Sequence, residues 1–288
     1  MPADLAVVAA AGPLAARIAR PPAAGVALHW LGQAGFVLRS ARRTVVIDPY
    51  LSDSLAEKYR GSARPHIRMM PPPVDIAGLG AVDLVLSTHQ HTDHMDPGTL
   101  RPLAARHPDL RFVVPRAARA EAVTRTGAAA DRLVLLDAGE TAEPVAGLRI
   151  TATRAAHETL ERDADGCHRF LGYLIEMEGV RVFHSGDTVP FEGQAEEVRA
   201  LAPDIALLPV NGRSAGLLAA GVPGNLTLAE AAALGAAAGV PAVVAHHYGL
   251  FDFNTADPAD IDARAATDGP PRLVRARTDR DLVLTARP

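Results

Sequence analysis

Residues 88–94 read Thr-His-Gln-His-Thr-Asp-His, directly after the apolar run Leu84-Val85-Leu86. Four strong metal ligands, His89, His91, Asp93 and His94, thus share one short loop leaving a strand. Imidazole suits zinc, iron and manganese, and carboxylate suits harder cations, so the mixture points to a first-row transition metal. Alternate residues of an extended segment face the same way, which lets His89 and His91 grip one ion together. The turn after them aims Asp93 and His94 at a second ion. A merely histidine-rich polar loop is the bland alternative, and three of 11 histidines within six residues make it a poor account.

Two ions need more than four protein ligands. The rest belong at strand ends, where a sheet can aim them at a common point. His157 follows the strand predicted over Leu148–Arg154. Asp187 closes His184-Ser185-Gly186-Asp187, where Gly186 permits a sharp turn. His247 follows the strand predicted over Ala242–Ala245, with His246 as its adjacent rival. No Gly-x-Ser-x-Gly elbow is present near a plausible triad, and the lone Cys167 lacks a nucleophile's setting. The chemistry therefore falls to the metals.

The elements that must carry these residues emerge from periodicity and Gly, Pro and Asp punctuation. Val26–Leu31, Phe36–Arg39 and Thr44–Ile47 form a strand meander, and Leu84–Ser87 feeds the histidine loop. Helices are predicted over 99–107, 117–127 and 227–238. Further strands are predicted over 111–114, 133–136, 170–176, 181–184, 204–209 and 282–285. Strands then helices, twice over, suggest two packed sheets with helices outside.

At 288 residues and 48% hydrophobic, the chain can bury a large core as one big domain or two small ones. A net charge of −4 offers no bulk basic field, so nucleic acid is not an expected partner. The single cysteine excludes an internal disulfide and fits a reducing compartment. In the N-terminal stretch, Asp4 precedes the apolar run 5–11, and Arg17 and Arg20 follow it, the reverse of an export signal. Residues 1–25 are expected to form an extension with a short surface helix, and residues 26–288 the main domain. No apolar run approaches the ~20 residues needed to span a bilayer. A cytoplasmic location with no membrane partner is the expectation.

The chain resembles the metallo-β-lactamase superfamily, whose His-x-His-x-Asp-His motif, later His, Gly-Asp and final His occur here in the same order between about Trp30 and Asp260. Within it, the chain is most similar to the ascorbate-6-phosphate lactonase-like branch. The residues carrying that are Trp30-Leu31-Gly32-Gln33-Ala34-Gly35-Phe36, Asp48-Pro49-Tyr50, His184-Ser185-Gly186-Asp187, Pro209-Val210-Asn211-Gly212 and His247-Tyr248-Gly249-Leu250-Phe251. The resemblance implies an α/β fold, a four-layer αββα sandwich with metals at one edge of the paired sheets. It implies two divalent ions, zinc or manganese: His89, His91 and His157 on the first, Asp93, His94 and His247 on the second, and Asp187 bridging. His247 rather than His246 aligns with the family's His-Tyr-x-x-Phe phrase. Gln90 stands where iron-dependent, oxygen-reducing relatives place a glutamate, which argues against a di-iron oxidoreductase.

Two ions about 3.5–4 Å apart share a bridging water, lower its pKa toward ~7 and stabilise the oxyanion that forms on attack. Asp93 is the residue expected to orient that nucleophile and move its proton. The expected activity is a metal-dependent hydrolase using a dinuclear-site hydroxide on a lactone or other ester, phosphorylated or not. A phosphodiesterase on the same site is the near alternative, and a non-catalytic metal-binding scaffold the distant one. Asn211 is the better single candidate for a substrate contact, and Tyr248 and His184, which flank expected ligands, are read either as substrate contacts or as packing. Asp48 is read either as an acceptor orienting a ligand histidine or as a turn aspartate before proline. Arg60, Arg64 and Arg68, with Arg213, form a candidate rim for an anionic small molecule. A homo-oligomer is compatible with all of this.

Overall fold

The computed structural model describes residues 2–287; Met1 and Pro288, the ends of the two expected segments, lie outside the described residues. The first sheet has eight strands in the order β1 (Asp4–Ala9), β15 (Arg280–Thr285), β2 (Val26–Gly32), β3 (Gly35–Arg39), β4 (Thr44–Ile47), β5 (Leu84–Leu86), β6 (Arg111–Pro115) and β7 (Leu133–Leu136). The second has seven, in the order β14 (Arg272–Arg275), β13 (Ala242–His246), β12 (Ile205–Pro209), β11 (Val180–His184), β10 (Leu171–Met177), β9 (Leu148–Arg154) and β8 (Thr141–Val145). Both sheets are mixed. Strands β4 to β7 run parallel, as do β11 to β14, while the remaining ladders are antiparallel.

The period-2 alternation of strand side chains explains the layering. Val45, Ile47, Leu84, Leu86 and Val113 pack in one core with residues of the second sheet, including Ile150, Leu174 and Val182. Their neighbours Val46, Val85, Phe112 and Val114 point the other way, into a second core. That core is closed by α1 (Leu14–Ile18), α3 (Pro97–Arg106) and α4 (Arg119–Thr126). The outer face of the second sheet is covered by α7 (Leu228–Ala238) and α8 (Pro258–Ala265), with α5 (Gln194–Leu201) packed against α7. Two short helices, α2 (Ser54–Lys58) and α6 (Ala215–Ala219), lie in connecting segments. The result is the expected αββα sandwich. Among the described residues no helix is long and apolar enough to cross a membrane.

The N-terminal stretch holds a short helix before Pro21, as expected, and also a strand that was not expected. Residues 4–9 form a strand, not a helix, paired antiparallel with β15 from Asp4↔Thr285 to Ala9↔Arg280. Valines at 7 and 8 favour extended backbone, and β15 offers an open edge to complete. The helical turn comes later, as α1, whose Leu14 and Ile18 are buried. Residues 4–18 are thus part of the sandwich. The apolar-run pattern does not reveal β8 and β14: both are edge strands rich in polar residues, and Pro144 is tolerated in β8 because an edge leaves its missing N–H unneeded.

Leu38 is fully buried between the sheets, whereas Val7 on the edge strand is 37% exposed. Leu38→Ala should cost about 2–5 kcal/mol of unfolding free energy, and Val7→Ala within about 0.5 kcal/mol, read by denaturant titration. Equal effects would contradict the layer assignment.

Candidate metal centre

Every expected ligand sits just past the C-terminal end of a strand, and those ends share one edge of the sandwich. β5 delivers the loop with His89, His91, Asp93 and His94; β9 delivers His157, β11 Asp187 and β13 His247. The first loop is wound tightly: His94 N and Met95 N both donate to the His91 carbonyl (3.1 and 2.8 Å). From outside, Arg125 of α4 braces it by donating to the carbonyls of Gln90 (2.6 Å) and Met95 (3.3 Å). Gly186 shapes the Asp187 turn at φ +62°, where a Cβ would lie 2.5 Å from the Leu171 carbonyl oxygen. Glycine is required there.

The donors converge in three groups, each with ligand atoms within 4.8 Å of one another: His89, His91 and His157; His89, His94 and Asp187; Asp93, His94 and His247. Asp187 Oδ2 lies 3.3 Å from His94 Nε2, 3.2 Å from His247 Nε2 and 3.8 Å from His157 Nε2. It thereby touches both halves of the set. Asp93 Oδ2 lies 3.6 Å from His94 Nε2 and 3.8 Å from His247 Nε2. His246 is turned away, its ring edge-on to Phe36 at 5.4 Å and 4.9 Å from the His184 ring. Of the two adjacent histidines, His247 faces the centre.

The ring orientations are set from behind. His94 Nδ1 donates to Asp48 Oδ2 (2.7 Å), which leaves Nε2 facing inward. Thr88 Oγ1 also donates to Asp48 Oδ2 (2.7 Å), so it can only accept from His89 Nδ1 (3.1 Å). His157 Nδ1 donates to the Gly224 carbonyl (3.2 Å). Of the two readings of Asp48, its geometry matches the orienting acceptor for His94 directly and for His89 through Thr88. It does so from a left-handed turn, φ 46°. Gln33 (φ 50°) and His247 (φ 62°) are strained in the same way, and backbone strain of this kind gathers at functional sites.

Phe170 packs against His89, His91 and His157 with ring centroids 5.1, 5.8 and 5.2 Å apart, drying that side of the cluster. Burial holds the pKa of His157 down at about 4, and burial with neighbouring histidines holds His89 well below the ordinary value. Both stay neutral and keep a lone pair to donate. For His94 burial works downward too, but the carboxylates of Asp187, Asp48 and Asp93 outweigh it and raise its pKa well above the usual range. Burial alone would raise Asp187, and His247 and His94 instead pull it well below the usual carboxylate range.

This donor set fits divalent cations. His89 Nε2, His94 Nε2 and Asp187 Oδ1 are buried without a hydrogen-bond partner, a costly state unless a ligand occupies the space between them. Asp48, Asp93 and Asp187 form ion pairs only with histidines among the described residues, so no Lys or Arg neutralises them.

The expected substrate contacts fare differently. Tyr248 is buried, stacked on Trp30 at 5.1 Å, and its hydroxyl donates to the Ala276 carbonyl; it is a packing residue. His184 spends both ring nitrogens on backbone, Nε2 donating to Ala34 O (2.9 Å) and Nδ1 accepting from Gly186 N (3.0 Å). It holds the Asp187 turn. Asn211 is half-buried and joins an amide chain, donating to Asn254 Oδ1 (2.8 Å) and accepting from Asn225 Nδ2 (3.1 Å). Of the anion rim, Arg68 donates to the carbonyls of Tyr50, Ser52 and Met70, and Arg213 forks onto Glu230. Those two arginines are structural.

Residues that sequence reasoning missed include Thr88, Arg125 and Gln33. The Gln33 side chain donates to Asp93 Oδ2 (2.9 Å) and its Nε2 lies 3.2 Å from His247 Nε2. Its place in the quoted Trp30–Phe36 segment was the only available signal.

A family model for the beta-lactamase superfamily domain matches residues 43–248, and the chain belongs to that family. A UPF0173 metal-dependent hydrolase of Rubrobacter xylanophilus is 28% identical over 248 residues, covering 84% of this chain and 89% of that protein. Among solved structures, an isothiocyanate hydrolase from Delia radicum gut bacteria aligns with a TM-score of 0.72 at 22% identity, covering 90% of this chain and 99% of that one. A metallo hydrolase from the archaeon Ignicoccus hospitalis gives a TM-score of 0.66 at 20% identity, over 89% and 97% of the two chains. These two likenesses show the fold. With its family and its hydrolase-named relatives, the chain is a metal-dependent hydrolase of the metallo-β-lactamase superfamily.

Asp48→Asn keeps the size and tolerates the left-handed backbone but removes the charge that orients His94. Metal affinity, read by competition with a chromogenic chelator, should fall about 10- to 100-fold with the fold retained. An unchanged affinity would reduce Asp48 to a turn residue.

Proposed function

We propose that the chain hydrolyses a lactone or other ester of a small molecule at a centre holding two divalent ions, zinc or manganese. The observation that carries this is the convergence of seven His and Asp donors from four strand ends, with inward-facing atoms left unpartnered by the protein. The first ion would be held by His89, His91 and His157 and the second by Asp93, His94 and His247, with Asp187 between them. When bound, such a pair supplies Lewis acidity and brings a water's pKa toward ~7.

The chain's own residues do the rest. Asp93 is the most solvent-exposed carboxylate of the set, its side chain 17% exposed. Asp93 Oδ2 faces His94 and His247, which leaves the other oxygen to take a proton from the attacking group and pass it to the leaving oxygen. His94, locked by Asp48, cannot rotate away as this happens. Phe170 keeps bulk water from the first-ion histidines.

Arg68 and Arg213 are engaged within the protein and so add nothing to an anion rim. The likeness to the ascorbate-6-phosphate lactonase-like branch supports the ring ester, and the balanced charge supports a small-molecule partner rather than nucleic acid. A cytoplasmic setting and a homo-oligomer belong to the same reading.

The test is metal content by elemental mass spectrometry, with a hydrolysis panel of lactones, linear esters, phosphodiesters and an isothiocyanate. About two equivalents of metal and ester turnover only in the loaded form are expected. Turnover of phosphodiesters alone would replace the ester reading, and metal uptake without any turnover would favour a binding scaffold. Asp187→Ala should abolish turnover with the fold intact; activity surviving that change would overturn the mechanism.

A further inference from the structure

Gln33 occupies a place that a turn residue does not need. It is 2% exposed, its backbone is strained at φ 50°, and its carbonyl accepts from His247 N (2.9 Å) and Trp30 Nε1 (3.0 Å). Those ties lock the Gly32–Gly35 turn against the segment carrying His247. The side-chain amide then reaches into the donor cluster, its Nε2 2.9 Å from Asp93 Oδ2 and 3.2 Å from His247 Nε2. Its Oε1 is buried with no partner.

Those two distances match the spacing of donors that share a cation. Ligands about 2.0–2.2 Å from one ion lie about 3 Å apart when adjacent. The other contacts of this half-site, 3.2 Å for His247 to Asp187 and 3.6 Å for Asp93 to His94, belong to the same range. The terminal amide atom of Gln33 thus stands as one more vertex of the polyhedron around the second ion. An amide nitrogen cannot ligate, but rotation of the amide by 180° puts the orphaned oxygen in that position. Without a cation the nitrogen faces Asp93, because a carboxylate attracts N–H and repels C=O. With a cation present the preference reverses.

We propose that Gln33 is an eighth metal-binding residue, its amide oxygen joining Asp93, His94, His247 and Asp187 on the second ion. This rests on the two-ion reading above. A neutral, hard oxygen ligand biases that half-site toward manganese over softer-ligand metals, while the all-imidazole first site keeps its own preference.

The test compares Gln33→Leu with Gln33→Glu by calorimetric titration of the metal-free full chain with manganese. A glutamate can ligate but cannot donate to Asp93, which separates the two roles an amide could play here. Gln33→Leu should weaken the second equivalent by about 10-fold or more, while Gln33→Glu binds it as tightly as the native chain or tighter. The first equivalent should be unchanged in both, which also reports that they fold. Weakening in both variants would make Gln33 a donor to Asp93 and overturn the proposal, as would no change in either. A native chain that takes up one ion removes the two-ion reading and this proposal together. If Gln33→Leu fails to fold, a crystal structure of the manganese-loaded native chain decides. The Gln33 oxygen within about 2.3 Å of the ion supports ligation, and an amide turned away overturns it.

Discussion

The Asp48 carboxylate accepts three hydrogen bonds where water does not reach: from Thr88 N (2.8 Å), Thr88 Oγ1 (2.7 Å) and His94 Nδ1 (2.7 Å). A buried charge is tolerable only when its lone pairs are so occupied. The same bonds join the end of β4 to the loop leaving β5 and turn two imidazoles inward. Position, tautomer and loop path are therefore fixed by one anion. The parallel pairing of β4 and β5 brings the two strand ends together, and the left-handed backbone at Asp48 points the carboxylate across the gap.

Charge balance follows from that choice. Three acidic side chains converge on one sheet edge, and their only ion-pair partners among the described residues are histidines. A raised pKa at His94 means that a proton partly fills the cationic role when no metal is there. Proton and metal compete for the same lone pair, so the centre is one in which cation uptake displaces protons.

Much of this was legible in the residues. Ligand types at strand ends announce themselves because a strand's direction, unlike a side chain's rotamer, can be read from apolar runs and the punctuation after them. His89, His91, Asp93, His94, His157, Asp187 and His247 can be proposed that way or through motif order, and the structure brings their donor atoms to one edge. The roles of Tyr248, His184 and Asn211 were not legible, since each turns on which backbone group its polar atoms meet. Gln33 was hidden for a related reason: a left-handed turn, invisible in sequence pattern, aims it inward. Residues 4–9 misled because a short valine-rich run serves a helix or an edge strand equally well until β15 is seen beside it.

The donors come from both sheets: the β5 loop from one, and the ends of β9, β11 and β13 from the other. Loaded with cations, this edge acts as a rivet through the sandwich, resisting any sliding of one sheet over its neighbour. Ions that bind only the assembled form add their binding free energy to its stability. Endurance and chemistry then share a single fastening, and a chelator would loosen the scaffold as it silences the site.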